Sequence, residues 1–383
     1  FKSYAEKEKW IDEYVKWLLQ EIEEVGVGNR IDYENGRDKL AVVQTVYIGG
    51  GTPSYIDASY ITAILNTIYT SYILDAKLEK GDAVDAKQLL QDNESNRNNN
   101  RNIEITLEVN PGTVNREKLE TYYKSGVNRL SIGLQETHDN LLKELGRIHT
   151  WKEFLETYQT AREVGFENIN VDLMLGLPQQ SLGNLEESLD TIIRLNPEHV
   201  SVYSLILEEG TPFYEKWQED KLELPNDETE RKMYWLVKKK LEEAGYIHYE
   251  ISNFAKKGYA SKHNLACWNQ EEYIGFGVAA HSYTNNVRYS NIDTIEEYIE
   301  NFEKQEENKN FVFHEKQKKE SKMKEYMMLG LRKIDGIRVQ AFKEKFGENP
   351  IFVYHKELEK LVREELVEID GDNIRLTNKG LDL

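Results

Sequence analysis

The sequence predicts an α/β fold built on an open barrel, and three observations predict it. Short apolar runs alternate with amphipathic helical patterns up to residue 225, the rhythm of parallel strands joined by helical crossovers. Each apolar run ends in a turn rich in glycine or polar residues, where parallel α/β folds keep their ligands. From about Asn226 the rhythm gives way to a long helix and then to mixed elements. A doubly wound open sheet is the main alternative.

In order, Trp10, Ile11, Tyr14, Val15, Leu18, Leu19 and Ile22 are spaced for a helix over 5–25. A strand over 42–48 ends in three glycines. A helix over 59–72, a strand over 103–109, a helix over 115–125 and a strand over 129–133 follow. A helix over 151–164, a strand over 169–175, a helix over 185–195 and a strand over 200–207 complete the series. Five strands behind a leading helix imply a barrel whose first strand lies before Phe1. Residues 75–102 include an Asn-rich stretch, 91–100, that is too polar to bury a core. It is expected to be a disordered surface insertion. A long helix from Asn226 stops at Gly245, and strand-like sequence runs from Tyr246 to Phe254. A charged helix and linker over 294–309 lead to a last unit, 313–383, with the order helix, short helix, helix, strand pair. That order is winged-helix-like.

Composition narrows the function. Hydrophobic residues make up 39% and charged residues 31% of the 383, which suits a globular protein with a sizeable core. A formal charge of −19 argues against nucleic acid as a partner, which would need a basic face. No apolar run approaches the ~20 residues of a membrane span, and no signal peptide is apparent. The single cysteine, Cys267, excludes disulfides within the chain and suits a reducing compartment, with the cytoplasm expected and an organelle left open. Phe1 and Leu383 both read as cut ends of a longer protein.

Chemistry-bearing residues fall at successive strand ends. Gly49-Gly50-Gly51-Thr52-Pro53 follows the first strand, and glycines let a backbone approach a ligand and expose its amides. A plain tight turn is the equal alternative. Glu108 ends the next strand and suits an ammonium or a hydroxyl, or is a surface acid. Gln135 follows the third strand. Arg147 comes next, with a guanidinium matched to a carboxylate. Asp172 lies in the following strand and can accept from ribose hydroxyls. In order, they describe one polar ring at a barrel mouth suited to a small zwitterionic cofactor. There is no nucleophile elbow, and one cysteine with scattered histidines has no zinc spacing.

These residues resemble the radical S-adenosylmethionine (SAM) superfamily. Within it, the match is to the branch of oxygen-independent coproporphyrinogen III oxidases and HemW-type heme chaperones. The resemblance runs through Tyr47 to Ser54, Glu108 to Pro111, Asn128 to Gln135, Leu145-Gly146-Arg147, Asp172 to Pro178, Tyr203-Ser204-Leu205, His263-Asn264 with Trp268, and Gly275-Phe276-Gly277. It implies a partial (β/α)6, TIM-like barrel over 1–225, a family extension over 226–305 and a C-terminal domain over 313–383. It implies that the backbone turn at Gly49 and Gly50 meets the SAM amine, that Gly51 and Thr52 belong to the same SAM site, and that Glu108, Gln135, Arg147 and Asp172 contact the rest of SAM. It also implies a [4Fe-4S] cluster on a CxxxCxxC loop, expected upstream of Phe1, so that no metal ligand lies in this chain. His263 to Trp268 resembles the family's HNxxYW segment, with Cys267 in place of tyrosine. This implies heme or porphyrin as ligand, with His263 and Cys267 in one loop as iron ligands, and a heme-accepting protein as partner. A buried structural role for His263 is the alternative. As function, the resemblance implies a heme chaperone. The alternatives are a coproporphyrinogen-oxidising enzyme of porphyrin biosynthesis and a non-catalytic binding module.

Overall fold

The structure is a computed structural model that describes residues 8–28, 42–74, 103–304 and 311–382. The Asn-rich stretch of 75–102 and Phe1 lie outside the described residues. The strands of the first two thirds are β1 (Val42–Val43), β2 (Thr45–Ile48), β3 (Ile73–Leu74), β4 (Glu104–Val109), β5 (Arg129–Gln135), β6 (Ile169–Leu175), β7 (His199–Ser204), β8 (Ile247–Glu250) and β9 (Asn253–Ala255). Seven form one sheet in the order β2-β4-β5-β6-β7-β9-β8. β2 runs parallel to β4 and β6 to β7, whereas β9 is antiparallel to both β7 and β8. The order β2 to β7 follows the sequence without reversal. A doubly wound sheet would reverse at a switch point, so this one is a half-barrel.

The strands differ from the sequence expectation at β5, which runs on to Gln135 and does not stop at Gly133, and in three further places. The run 42–48 breaks into β1, which pairs with β3, and β2, which joins the main sheet. The run 246–254 is a hairpin, because Glu250 opposes Asn253 and the chain reverses between them. The strand expected over 200–207 stops at Ser204.

Each main strand carries two sets of side chains, because neighbours along a strand point to opposite faces. In β4, Ile105 and Leu107 are fully buried, and Glu104, Thr106 and Glu108 form the other set. In β6, Val171, Leu173 and Leu175 are buried, while Asn170, Asp172 and Met174 share the opposite face. In β7, His199, Ser201 and Tyr203 alternate with Val200 and Val202. The polar set along each strand is where function has to be sought.

The chain divides into two compact units. The first comprises 1–130, 157–167 and 271–318. In it, helix Ile11–Gly28 packs on helices Ala58–Ser71 and Ile295–Glu303, beside an antiparallel sheet of β10 (His281–Thr284), β11 (Val287–Asn291) and β12 (Phe311–Lys316). Glu21 of the first helix is 2% exposed. Its carboxylate accepts from the Tyr298 hydroxyl at 2.5 Å, the Gly277 amide at 2.9 Å and the Asn291 side-chain amide at 2.6 Å. The Gly275-Phe276-Gly277 segment is therefore tied to the first helix by a buried acid.

The second unit comprises 131–156, 168–270 and 319–383. Helix Asp227–Glu243, capped by Asn226, packs on β6 and β8. Its C-terminal part holds helix Lys319–Gly330 and a small sheet of β13 (Ile337–Arg338), β14 (Val367–Asp370) and β15 (Asn373–Leu376), in the order β13-β15-β14. Its own core is made of Met323, Tyr326, Phe342, Phe346 and Ile374. The Ile251 amide donates to the Arg332 carbonyl at 3.0 Å and the Ile334 amide to the Tyr249 carbonyl at 3.1 Å, which fastens this part to the β8–β9 hairpin. No helix among the described residues is long and apolar enough to cross a membrane.

Glu21→Ala removes the acceptor of the Tyr298 hydroxyl and the Gly277 amide, and one of the two acceptors of the Asn291 amide, and should lower the unfolding free energy in urea by roughly 3 kcal/mol. A loss under about 1 kcal/mol would contradict the network. Burial raises the Glu21 carboxyl above its ordinary value of 4.5, against the pull of its three donors. Its contribution to stability is thus full below pH 4.5 and lost as pH rises through the raised value. The variant should lose that slope.

Candidate functional site

The glycine turn is shaped by Glu108. The Glu108 carboxylate accepts from the Tyr47 hydroxyl at 2.7 Å and from the Gly50 amide at 3.1 Å. A Cβ on Gly49 would lie 2.7 Å from the Tyr47 ring and 2.8 Å from the Glu108 carboxyl carbon, so only glycine fits there. Gly50 has φ +113°, a region that L side chains rarely enter, but has open space around it. Thr52 donates to the Gly51 carbonyl at 2.8 Å and accepts from the Asn110 side chain at 2.9 Å. The Lys118 ammonium donates to the carbonyls of Ser54, Tyr55, Ile56 and Thr113 at 3.0–3.2 Å, pinning the chain that leaves the turn. Gly49, Gly50, Thr52 and Glu108 are therefore one cluster in the first unit, and Tyr47, Asn110 and Lys118 complete it.

Gln135, Arg147 and Asp172 belong to the second unit. Gln135, a non-glycine residue, ends β5 at φ +74°. This left-handed backbone is strained by about 1 kcal/mol. The segment after it is pinned from beneath: buried His149 donates from Nε2 to the Leu134 carbonyl at 3.1 Å, and the Arg147 amide to the Leu142 carbonyl at 2.9 Å. Among the described residues, the Gln135 amide and the Arg147 guanidinium make no side-chain hydrogen bond or ion pair. Burial pulls Arg147 below its ordinary value, and the field of the Asp172 carboxylate opposes that. A half-buried guanidinium lacking a partner is a site for an anion, above all a planar carboxylate.

Asp172 is wired inward. One oxygen accepts from the Asn170 amide at 2.7 Å and the other from the Ser131 hydroxyl at 3.2 Å. The Asn170 oxygen takes His199 Nδ1 at 2.6 Å and the Ser201 hydroxyl at 3.0 Å. His199 Nε2 meets the Tyr249 hydroxyl at 2.8 Å, and the Ser261 amide donates to that hydroxyl at 3.3 Å. Asn170, His199 and Ser201 are buried, so these bonds replace water that the groups cannot reach.

Ser261 caps the segment expected to be a loop carrying His263 and Cys267. That segment is instead the helix Lys262–Trp268, with the Ser261 hydroxyl accepting from the Asn264 amide at 3.2 Å. His263 and Cys267 are four residues apart and share a face, because residues at i and i+4 stack along a helix. Both are half-buried. The other end is held by cations. Lys345 donates to the carbonyls of Asn269 and Gln270 at 3.1 and 2.8 Å, Lys333 to the Asn269 side chain at 2.5 Å, and the Arg332 guanidinium lies 4.6 Å from the centre of the Trp268 ring. Positive charge suits a helix C-terminus. In the same unit, an open groove of about 470 Å³ is lined by Leu145, Ile206 and Phe213 with Lys143 and Lys216, the last paired with Glu144 at 3.3 Å. Among the described residues no group of three His, Cys, Asp or Glu could hold a metal ion.

Sequence reasoning placed Tyr47 and Ser131 in family motifs without a role of their own, and gave none to Asn170, His149, His199, Tyr249 and Lys345. The readable signal was polar residues on one phase of strands that are otherwise Val, Ile and Leu. Gly49→Ala should lower the unfolding free energy by roughly 2 kcal/mol through overpacking. Gly50→Ala, in open space, should cost about 1 kcal/mol through backbone strain alone. Denaturant melts that rank the two the other way would contradict the close approach at Gly49.

A model of the radical SAM superfamily matches residues 33–192, and a model of the HemN C-terminal domain matches 317–383. A protein named heme chaperone HemW from Bacillus subtilis is 36% identical over 382 residues, covering 99% of this chain and 91% of its own length. Another of that name from Lactococcus lactis is 32% identical over 373 residues, covering 97% and 87%. The structure of the Escherichia coli coproporphyrinogen III oxidase HemN matches with a TM-score of 0.75 at 20% identity, over 98% of this chain and 82% of that one, a likeness of fold alone. The chain belongs to the HemW family of radical SAM proteins.

Proposed function

We propose that this protein is a HemW-like heme chaperone that binds SAM and heme and passes heme to target proteins in the cytoplasm. The observation that carries this reading is the identity, over nearly the whole chain, to several proteins named heme chaperone. The pairing of His263 with Cys267 on one helix face supports it, since both side chains are ligands for heme iron.

For SAM, the donor set fits the ligand's chemistry. SAM supplies an ammonium, a carboxylate and a ribose diol. Glu108 has a carboxylate held by two neutral donors, and the backbone of Gly49, Gly50 and Gly51 lies beside it. These take the ammonium. Arg147 takes the carboxylate, Asp172 the ribose hydroxyls, and the Gln135 amide the polar edge left over. A [4Fe-4S] cluster in this family takes three cysteine thiolates, and the sequence holds one cysteine. These residues do not fit that group, so the chain's own contribution lies in holding SAM and heme.

Heme titration tests the reading. Wild type should give a shifted Soret band on saturation, and His263→Ala should bind at least about tenfold more weakly, a loss of about 1.4 kcal/mol. An unchanged band and affinity would remove His263 as a ligand. Full-length protein should pass heme to an apo-acceptor and form no protoporphyrinogen under anaerobic assay; formation of protoporphyrinogen would make the protein an oxidase.

A further inference from the structure

The hydrogen bonds that hold Asp172 do not end at Asp172. They run through the second unit to Ser261, the N-cap of the helix that carries His263, and their polarity is uniform. The Ser261 N–H donates to the Tyr249 oxygen. If the Tyr249 O–H then donates to His199 Nε2, His199 Nδ1–H is left to donate to the Asn170 oxygen, and the Asn170 amide donates to Asp172. This is the one arrangement of protons in which every member from Ser261 to Asn170 gives and every acceptor receives, because Asn170 Nδ2 and the Ser261 amide can only donate. Each dipole points at the carboxylate.

Such a line is costly to bury and is not needed for packing. Strands covered on both sides normally fill these positions with Val, Ile or Leu. Here Asn170, Ser201 and His199 occupy them, and His199 is 0% exposed. The His199 and Tyr249 rings also meet edge to face at 5.6 Å, so their hydroxyl–nitrogen bond is held by packing on both partners. The far end matters because Ser261 is the N-cap: its hydroxyl fixes the first turn, and Lys333, Lys345 and Arg332 fix the last. A helix clamped at both ends moves only with its clamps.

We propose that His199 and Tyr249 are positioning residues that couple the SAM ribose site at Asp172 to the heme-binding helix Lys262–Trp268, so that each ligand favours the other. The inference rests on the reading of the two sites given above. A ribose diol that donates to Asp172 orders the carboxylate, and chains of aligned hydrogen bonds strengthen together. Order set by one ligand lowers the ordering cost of the second. The coupling has to be reciprocal, with one factor for both ligands.

Heme affinity of the full-length protein, measured by Soret titration with and without saturating SAM, tests this. In wild type, SAM should raise heme affinity roughly fivefold or more, and heme should raise SAM affinity by the same factor. Tyr249→Phe keeps the ring contact and removes the hydroxyl. It should bind each ligand alone within about twofold of wild type, with the coupling factor reduced to about one. A coupling factor of one in wild type overturns the inference while leaving the chaperone reading standing, as does a Tyr249→Phe variant that keeps the wild-type factor. As a readout independent of the variant, ¹⁵N NMR of the wild-type His199 ring should show the Nδ1–H tautomer. A proton on Nε2 instead would overturn the relay. Failure of wild type to bind heme at all would overturn the function reading and this inference together.

Discussion

The inner stretch of a half-barrel strand has little access to water on either face, so each buried polar side chain there must find its partner among its neighbours. That constraint organises this protein. Asp172 could not sit in β6 without Asn170 and Ser131 beside it. Asn170 in turn requires His199 and Ser201, and His199 requires Tyr249. Half-buried Asp172 is the end of a polar interior, and its geometry is set by residues several positions away in the sequence.

The first unit obeys the same rule by different means. There the acid is Glu108, and its partners are a tyrosine hydroxyl and a backbone amide. Gly49 gives up its side chain so that the carboxyl can lie against the turn. Glu21 repeats the device at the other side of the barrel sequence, where it draws three donors onto a buried carboxylate. In each case an acid that accepts from a tyrosine hydroxyl and a backbone amide fixes a glycine-containing segment.

Much of the fold was legible in the sequence because strand and helix periods leave a local mark. Helix Trp151–Val164 and strand β6 match the expected ends. The hairpin at β8–β9 was not legible, since the reversal between Glu250 and Asn253 carries neither glycine nor proline to mark a turn. The helix Lys262–Trp268 was also missed: seven residues are too few to show a period, and its two ends are fixed by Tyr249 and Lys345, which are distant in sequence. Glu108, Arg147 and Asp172 stood out in the sequence because each is a charged residue in or near an otherwise apolar strand pattern. Their supports Asn170, His199 and Tyr249 did not, because a buried polar residue and a surface one are spelled alike.

The central claim is that the polar phase of these strands exists to hold SAM. A crystal structure of the full-length protein soaked with SAM tests it most directly. The account predicts the SAM ammonium on the Glu108 carboxylate and the backbone of Gly49 to Gly51, the carboxylate on the Arg147 guanidinium, and the ribose on Asp172, with the Asn170 and His199 bonds intact. SAM bound elsewhere, or bound with Arg147 and Asp172 both turned away from it, would contradict the account.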